Sequence, residues 1–514
     1  MSRAMLSAVS PVVPSVERRW RRVSIYLFLI VGAAVLYLPH AGIPFFADDF
    51  EFRFADPRPY ILGTFRYSDM RWFRPILASW CALNQYLFGE DTFVLQAGQI
   101  AMHAALTCGL FWFLRTCGLP LGHSLLGAVW FLVNPINVAP VLGNDTSSQV
   151  GSGAAGFLSF ALAWRFSEAL RQSPSGTAPP LRLAVGSLMA LAIALLFKEN
   201  GLAFAGIVPL VLGFAVWRGH GGRVPGATRW LVLCLVACVA ITAGYFAYRG
   251  VARTSKPISF GTGHYEFRIG GNILANEAQL LGAPLLPFST SDAYVAVVRR
   301  VPLVLVAMGA GLLAWLTLLG TGLTIAQQWP AALGLGLLAA CAGVPVVLMN
   351  HVSELYAYNM APFWAIIVAL ALPALLETRR PRLVRIMTAV LLLGVLASDV
   401  VAVNRKASQM AVNGHNAVVL MPQIVDFARQ LPPGGKMLLW DCQEPGTLSY
   451  SVFLMSPFMS VEWGGDWVKH LAHRPDIHIK VVAEPALEPA DIVLVPHTTD
   501  GILQVRALSS LTSP

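Results

Sequence analysis

Two adjacent carboxylates, Asp48 and Asp49, stand in Phe46-Ala47-Asp48-Asp49-Phe50-Glu51, directly after the first long apolar run of the chain. One carboxylate of such a pair can act as a general base, while its neighbour or a bound cation holds it and tunes its proton affinity. The plain alternative is a pair of acids that solvate a loop. An aromatic setting at a membrane edge, where an unpaired charge is costly, favours function more than a bare acidic pair would. Arg71 and Arg74 follow in Met70-Arg71-Trp72-Phe73-Arg74-Pro75. Guanidinium groups are planar and permanently charged, which suits phosphate recognition. Anchoring to lipid headgroups is the ordinary alternative.

Asn144-Asp145 and Lys198-Glu199 fall at the ends of apolar runs. Lys198 can neutralise a phosphate and Asp145 can support a polar site. Taken singly, each also reads as a helix cap or a snorkelling anchor. His351, Glu354 and Tyr356 crowd a turn between two further apolar runs. Burying them unpaired would be costly, so that turn faces a wet cavity or binds something. His264, Glu266 and Arg268 form a mixed cluster in another loop, with ordinary loop charges as its simplest explanation. His103 lies within an apolar run and reads as a group that hydrogen-bonds a neighbouring helix.

Composition says what must position these groups. Of 514 residues, 56% are hydrophobic and 12% charged, against about 25% charged in ordinary globular chains. Too few charges remain to cover a soluble surface, and intrinsic disorder is excluded for the same reason. Long, continuous apolar runs indicate a mainly α, polytopic helical membrane protein rather than a barrel. About eleven spans are predicted: 23–43, 94–117, 121–141, 150–170, 181–198, 201–217, 230–249, 301–323, 329–349, 360–377 and 383–403. The net charge of +9 fits basic cytoplasmic loops better than a nucleic-acid partner. Arg18 to Arg22 place the N-terminus in the cytoplasm, and alternation puts the basic clusters near 165–182, 218–229 and 379–385 on that side too. The seven cysteines show no metal-ligand spacing. Most are packing residues, and a Cys81–Cys442 bridge is the weaker alternative.

The far side then receives Asp48-Asp49, Asp145, Lys198-Glu199 and the 350–359 turn, with long loops at about 44–93 and 250–300. The first loop is predicted to be amphipathic, with Trp72, Phe73, Ile76, Trp80 and Leu83 forming an interfacial stripe. Residues 1–403 thus form a membrane domain. Residues 404–514 read as a small extracytoplasmic α/β domain, with strands at Lys436–Trp440, His478–Val482 and Asp491–Val495.

In this order and on this shared side, the motifs resemble the GT-C superfamily of integral membrane glycosyltransferases, which use polyprenyl-phosphate sugars. The likeness is to bacterial relatives of the protein O-mannosyltransferases and of the tetratricopeptide-bearing O-mannosyltransferases, although no such repeats are present. Asp48-Asp49-Phe50 stands where that family keeps its acidic motif. Phe73-Arg74-Pro75-Ile76, running on to Gln99 and His103, is similar to its arginine-proline loop and histidine-bearing second span. Phe131 to Asn137 resembles the end of the third span, though with Asn134 and Asn137 where close relatives often carry histidine. Phe197-Lys198-Glu199-Asn200 and Ser353-Glu354-Leu355-Tyr356-Ala357-Tyr358 resemble the family's two later polar turns. Coverage is about residues 20–400, and the tail after 404 resembles nothing recognised.

The resemblance implies a bacterial inner-membrane enzyme whose sugar donor keeps its lipid tail in the bilayer and its phosphate at the outer face. The acceptor would be a glycan, a lipid or a protein. Asp49 is the expected base for inverting transfer, with Asp48 as its partner or a metal ligand; whether a divalent cation takes part is left open. Arg74, Arg71 and Lys198 would stabilise the departing lipid phosphate. Asp145, Glu199, His351, Glu354 and Tyr356 would line the substrate pocket. A lipid-linked glycan polymerase or ligase would also carry arginines and a long loop outside. A lipid-linked glycan transporter would place ionisable groups deep within the spans, where this sequence is almost free of them, and a bare scaffold has no need of Asp48-Asp49.

Overall fold

Apolar runs of 17 to 25 residues set the architecture, because a helix is the backbone form that satisfies its own polar groups without water. The computed structural model describes residues 16–54, 56–63, 73–172, 180–219, 227–251, 267–350, 352–377, 379–441, 452–461, 466–482, 490–499 and 502–508. The first third of the chain holds α1 (Val16–Tyr37), α2 (Arg58–Gly63), α3 (Pro75–Phe88), α4 (Thr92–Thr116), α5 (Leu121–Val133), α6 (Val138–Leu142) and α7 (Ser147–Gln172). Next come α8 (Leu181–Phe197), α9 (Leu202–Gly219), α10 (Ala227–Val251), α11 (Gly271–Gly282), α12 (Thr290–Val298), α13 (Pro302–Ala326) and α14 (Trp329–Val347). The chain continues through α15 (Ala361–Ala371), α16 (Pro373–Leu376) and α17 (Arg382–Gln430) to α18 (Pro457–Val461) and α19 (Asp466–Ala472).

Each predicted run coincides with a helix or a broken helix pair. Among the described residues, six helices are long and apolar enough to cross a membrane alone, and seven if the bent pair α5–α6 counts as one. That pair bends by 48°, because Pro135 supplies no N–H to continue the ladder. Asn134 at the break accepts from the Ile136 N–H (3.2 Å). Three shorter apolar helices, 181–197, 199–214 and 361–376, join the bundle. The protein is a multi-pass, mainly α membrane protein with a small α/β region.

α7 runs through the centre of the bundle, and its glycines permit close approach. A Cβ at Gly156 would sit 2.1 Å from the Phe204 ring, and one at Gly153 would sit 2.8 Å from Asn359 Oδ1. Small residues at helix contacts are how membrane bundles gain van der Waals contact. His103 behaves as expected, with Nδ1 2.9 Å from the Tyr358 hydroxyl inside the bundle. The first-loop helix is also present, but its buried face differs from the predicted stripe. α3 buries Leu77, Ala78, Cys81 and Ala82, and leaves Leu83, Tyr86, Leu87 and Phe88 exposed. Trp72 lies outside the described residues, and Phe73 precedes the helix, so the stripe loses its first turn.

α17 is one helix of 49 residues. It runs without a break through position 404, where the sequence changes character, and its second half backs the C-terminal sheet. The strands are β1 (Lys436–Trp440), β2 (His478–Val482), β3 (Ile492–Thr499) and β4 (Ile502–Leu508), in the order β2-β1-β3-β4. β1 is parallel to β2 and β3, and β4 is antiparallel to β3. Three strands lie where the sequence placed them. β4 was not anticipated, although Leu503, Val505 and Ala507 alternate inward along it. Gln423 of α17 accepts from the Val505 N–H (2.9 Å) and ties β4 to the helix.

A buried ion pair joins α17 to the bundle. Lys406 is fully buried; its ammonium donates to Glu354 Oε1 (2.5 Å), Thr290 Oγ1 (2.9 Å) and the Pro135 carbonyl (3.4 Å). It also lies 4.7 Å from the centre of the Phe453 ring. Removing one member of a buried pair strands the other. Lys406→Ala should therefore cost about 3–5 kcal/mol of stability. Lys406→Met combined with Glu354→Gln should recover much of it, as read by thermal unfolding in lipid nanodiscs. Equal losses in both variants would refute a stabilising pair.

Candidate active site

The polar turns expected on one side of the membrane meet at one end of the bundle. The first is a 3-10 turn, Ala47–Phe52, entered through Ala47 at φ +51°. A left-handed backbone at an alanine costs strain, so the turn must be held by its contacts. Asp49 supplies them. It is 3% exposed. Its Oδ2 accepts from the Phe46 N–H (3.2 Å) and from Asn144 Nδ2 (2.8 Å), and its Oδ1 accepts from the Asp145 N–H (2.9 Å). Asn144 is held in turn by Gln96 of α4, whose Nε2 donates to Asn144 Oδ1 (3.0 Å). Gln96 also accepts from the N–H groups of Gly42 (2.7 Å) and Ile43 (3.1 Å). One buried amide thus fixes the exit of α1, the acidic turn and the α6–α7 loop.

The sequence suggested Asp48 and Asp49 as the interacting carboxyls. In the structure the Asp49 carboxyl also interacts with that of Asp145, ninety-six positions away. Burial raises the proton affinity of Asp49, against the lowering effect of its hydrogen bonds. Burial and the Asp49 charge raise that of Asp145. Two carboxyls this close cannot both ionise freely, and they titrate as a unit. Asp48 is half-buried and lines a cavity of about 70 Å³ with Asp49, Asp145, Tyr356 and Met410.

Opposite stand the cations. α8 ends at Lys198, whose extended backbone breaks the helix and turns its side chain into the site. The ammonium lies over the Tyr356 ring, 5.1 Å from its centre. Burial and the neighbouring Arg74 charge push Lys198 down from the ordinary lysine range, against the pull of Glu199, Asp145 and Asp48. Arg74 caps α3 and grips Glu199 with two bonds, Nε to Oε2 (3.2 Å) and Nη2 to Oε1 (2.8 Å). Burial alone would lower the Arg74 guanidinium, but Glu199 reverses that and holds it above its usual range. Burial alone would raise Glu199, yet Arg74 and then Lys198 draw it down to about 2. The group is a largely buried network in which Arg74 is paired with Glu199, while Lys198 sits near both Arg74 and the Asp145, Asp48 and Glu199 charges.

A second amide chain locks the turns together. Asn200 Nδ2 donates to Gln149 Oε1 (2.9 Å), and Gln149 Nε2 donates to Asn359 Oδ1 (2.9 Å). Gln96 and Gln149 were missed in the sequence. Their signal was a polar amide near the start of a helix, Gln149 in the first turn of α7 and Gln96 one turn inside α4, where an unmatched group would be costly. Of the predicted residues, the structure gathers Asp48, Asp49, Arg74, Asp145, Lys198, Glu199 and Tyr356. Glu354 belongs to the same turn as Tyr356 but spends its carboxylate on Lys406 and Thr290. Arg71, His351, His264 and Glu266 lie outside the described residues. Arg268 is exposed, and its N–H bonds to the Leu348 carbonyl (2.7 Å). Among the described residues, no three His, Cys, Asp or Glu side chains gather as an ion-binding set.

Structural neighbours of the chain include two crystal structures of ArnT from Cupriavidus metallidurans. The first, bound to undecaprenyl phosphate, matches at a TM-score of 0.49 and 14% identity, covering 95% of this chain and 99% of that one. The second, in the apo state, matches at 0.47 and 12%, covering 92% and 87%. No family model matches the chain, and no curated protein matches it.

Asp49→Asn would turn an amide N–H₂ toward donors that now meet an anion. The expected loss is about 1–3 kcal/mol of stability, together with loss of activity; unfolding unchanged from wild type would refute the anchoring role of Asp49.

Proposed function

We propose that the protein transfers a sugar from a polyprenyl-phosphate donor to an acceptor hydroxyl at the extracytoplasmic face of a bacterial inner membrane, with inversion. The observation that carries this reading is the convergence of a cavity-lining carboxylate with Lys198 and the Arg74–Glu199 pair at one end of a membrane bundle. A donor with its tail in the bilayer can present only its head to such a site.

The base is best assigned to Asp48. Both carboxylates line the cavity, but Asp49 is buried at 3% exposure while Asp48 is half-buried, and the Asp48 charge is felt by both Lys198 and Tyr356. Asp48 takes the proton of the acceptor hydroxyl as its oxygen attacks the anomeric carbon. The bond from that carbon to the phosphate oxygen breaks, and its electron pair leaves with the phosphate. Negative charge on the phosphate grows during the step. Lys198 stabilises it, with Arg74 adding positive potential, in a setting where burial strengthens each interaction. Asp145 and Asp49 hold the acidic turn, and Tyr356 bounds the pocket. The C-terminal sheet region belongs on the same extracytoplasmic side.

Purified protein in nanodiscs, given a panel of radiolabelled polyprenyl-phosphate sugars, should release or transfer one of them. Asp48→Asn should lower that rate by about 10²–10⁴-fold with unfolding unchanged, and a wild-type rate would remove Asp48 as base.

The pH profile should be a narrow bell. The Asp49–Asp145 pair, raised from its usual range, loses its charge as pH falls through the raised value and shuts the acid side early. Lys198, lowered from its usual range, loses its charge as pH rises through the lowered value and shuts the basic side early. Lys198→Arg should keep its charge and move the basic limb upward; an unmoved limb would exclude Lys198 as its source.

A further inference from the structure

The turn that carries Asp48 and Asp49 has a second face. Side chains three apart on a 3-10 turn eclipse one another, so Phe50 and Arg53 share a side distinct from that of Asp49 and Phe52. Phe50 meets the Trp467 ring of α19 at 6.0 Å. Beyond it lies a cleft of about 360 Å³ between the first loop and the C-terminal region, lined by Arg53, Phe54, Gln85, Glu90, Trp467 and His470 among others. Its size falls within the range of small-molecule sites.

The cleft is built. Gln85 of α3 clamps the Phe54 backbone from both sides, accepting from its N–H (2.9 Å) and donating to its carbonyl (2.9 Å). Phe54 is further fixed by stacking on Tyr60, with ring centres 4.3 Å apart. Trp467 is held edge-on to His470 at 5.4 Å. Arg53 donates from Nε to Glu90 Oε1 (2.7 Å), which orients both planar groups at the rim.

We propose that this cleft binds a neutral saccharide unit of the acceptor. Indole and phenyl faces suit the C–H faces of a pyranose ring. The Arg53–Glu90 pair offers planar donors and an acceptor edge to vicinal hydroxyls. One positive and one negative group leave no net charge to select a phosphate. The polar rim also separates this cleft from the apolar groove of about 470 Å³ within the bundle, walled by Phe113, Phe160, Trp164 and Phe214. The inference deepens the transferase reading and rests on it. It places one acceptor sugar on the side of the turn that Phe50 and Arg53 share, with the reacting carboxylate Asp48 carried by the same turn.

Saturation-transfer difference NMR on the full-length protein in nanodiscs tests it without a donor. The probes are methyl glycosides of glucose, galactose, mannose and N-acetylglucosamine, with a Gly-Ser-Gly peptide and a short-chain phosphatidylglycerol alongside. At least one glycoside should give a signal that falls more than fivefold in Trp467→Ala, falls in Glu90→Ala and survives in Asp48→Asn. Glu90 is 58% exposed, so its variant reports on binding rather than folding. No glycoside signal in wild type, an undiminished signal in both cleft variants, or a signal from the peptide or lipid probe instead overturns the proposal. Glycoside binding by a wild-type protein that transfers no sugar would refute the transferase reading while sustaining the saccharide cleft.

Discussion

A carboxylate removed from water must be met by donors, and the acidic turn is organised around that need. Asp49 is met by two backbone N–H groups and one amide, each from a different part of the chain or held by one that is. Taking away any of those partners would leave a buried charge uncompensated, which costs more than the bond itself contributes. The exit of α1, the α6–α7 loop and the start of α4 are therefore fixed by the same requirement. The strained backbone at Ala47 is sustained by it too. Asp48, its neighbour in the turn, inherits its position from this arrangement.

The opposite wall obeys the same rule by other means. Arg74 and Glu199 satisfy one another across 125 positions of sequence, and Lys198 rests on the face of Tyr356. Packing cation against anion in this way keeps a lysine close to a carboxylate pair without collapse onto it. What results is a polar cavity at the end of an apolar bundle, with proton acceptors on one wall and cations on the other. That pairing suits a reaction in which a hydroxyl loses a proton while a phosphate gains charge.

Most of this was legible where the physics is one-dimensional. Apolar run length located the helices, and the polar turns stood out because they interrupt those runs. Asp48, Asp49, Arg74, Asp145, Lys198, Glu199 and Tyr356 were all named on that basis. Which carboxyls face one another was not legible, since adjacency in sequence says little about side chains in a 3-10 turn. Asp145 therefore enters as a partner of Asp49 that sequence adjacency could not reveal. Gln96 and Gln149 were hidden for a related reason: a single amide inside an apolar helix looks like tolerated polarity until its partners are known. Lys406 was invisible as a structural group because its partners come from the first residue of α12 and the Glu354 turn, both far away in sequence. On α3 the residues Leu77, Ala78, Cys81 and Ala82 pack inward while Leu83 stays exposed.

One feature sets a rule for how this chain can vary. α17 passes from the bundle to the sheet as a continuous rod of 49 residues, about 74 Å long at 1.5 Å per residue. A flexible tether absorbs an added or missing residue, but a rod transmits it. One residue inserted between 407 and 422 would turn everything beyond it by about 100° and advance it by about 1.5 Å, carrying Trp467 away from Phe50. Evolution can change the composition of this segment freely on its outer side, yet its length is quantised, with whole numbers of turns the only steps that keep the two ends in phase.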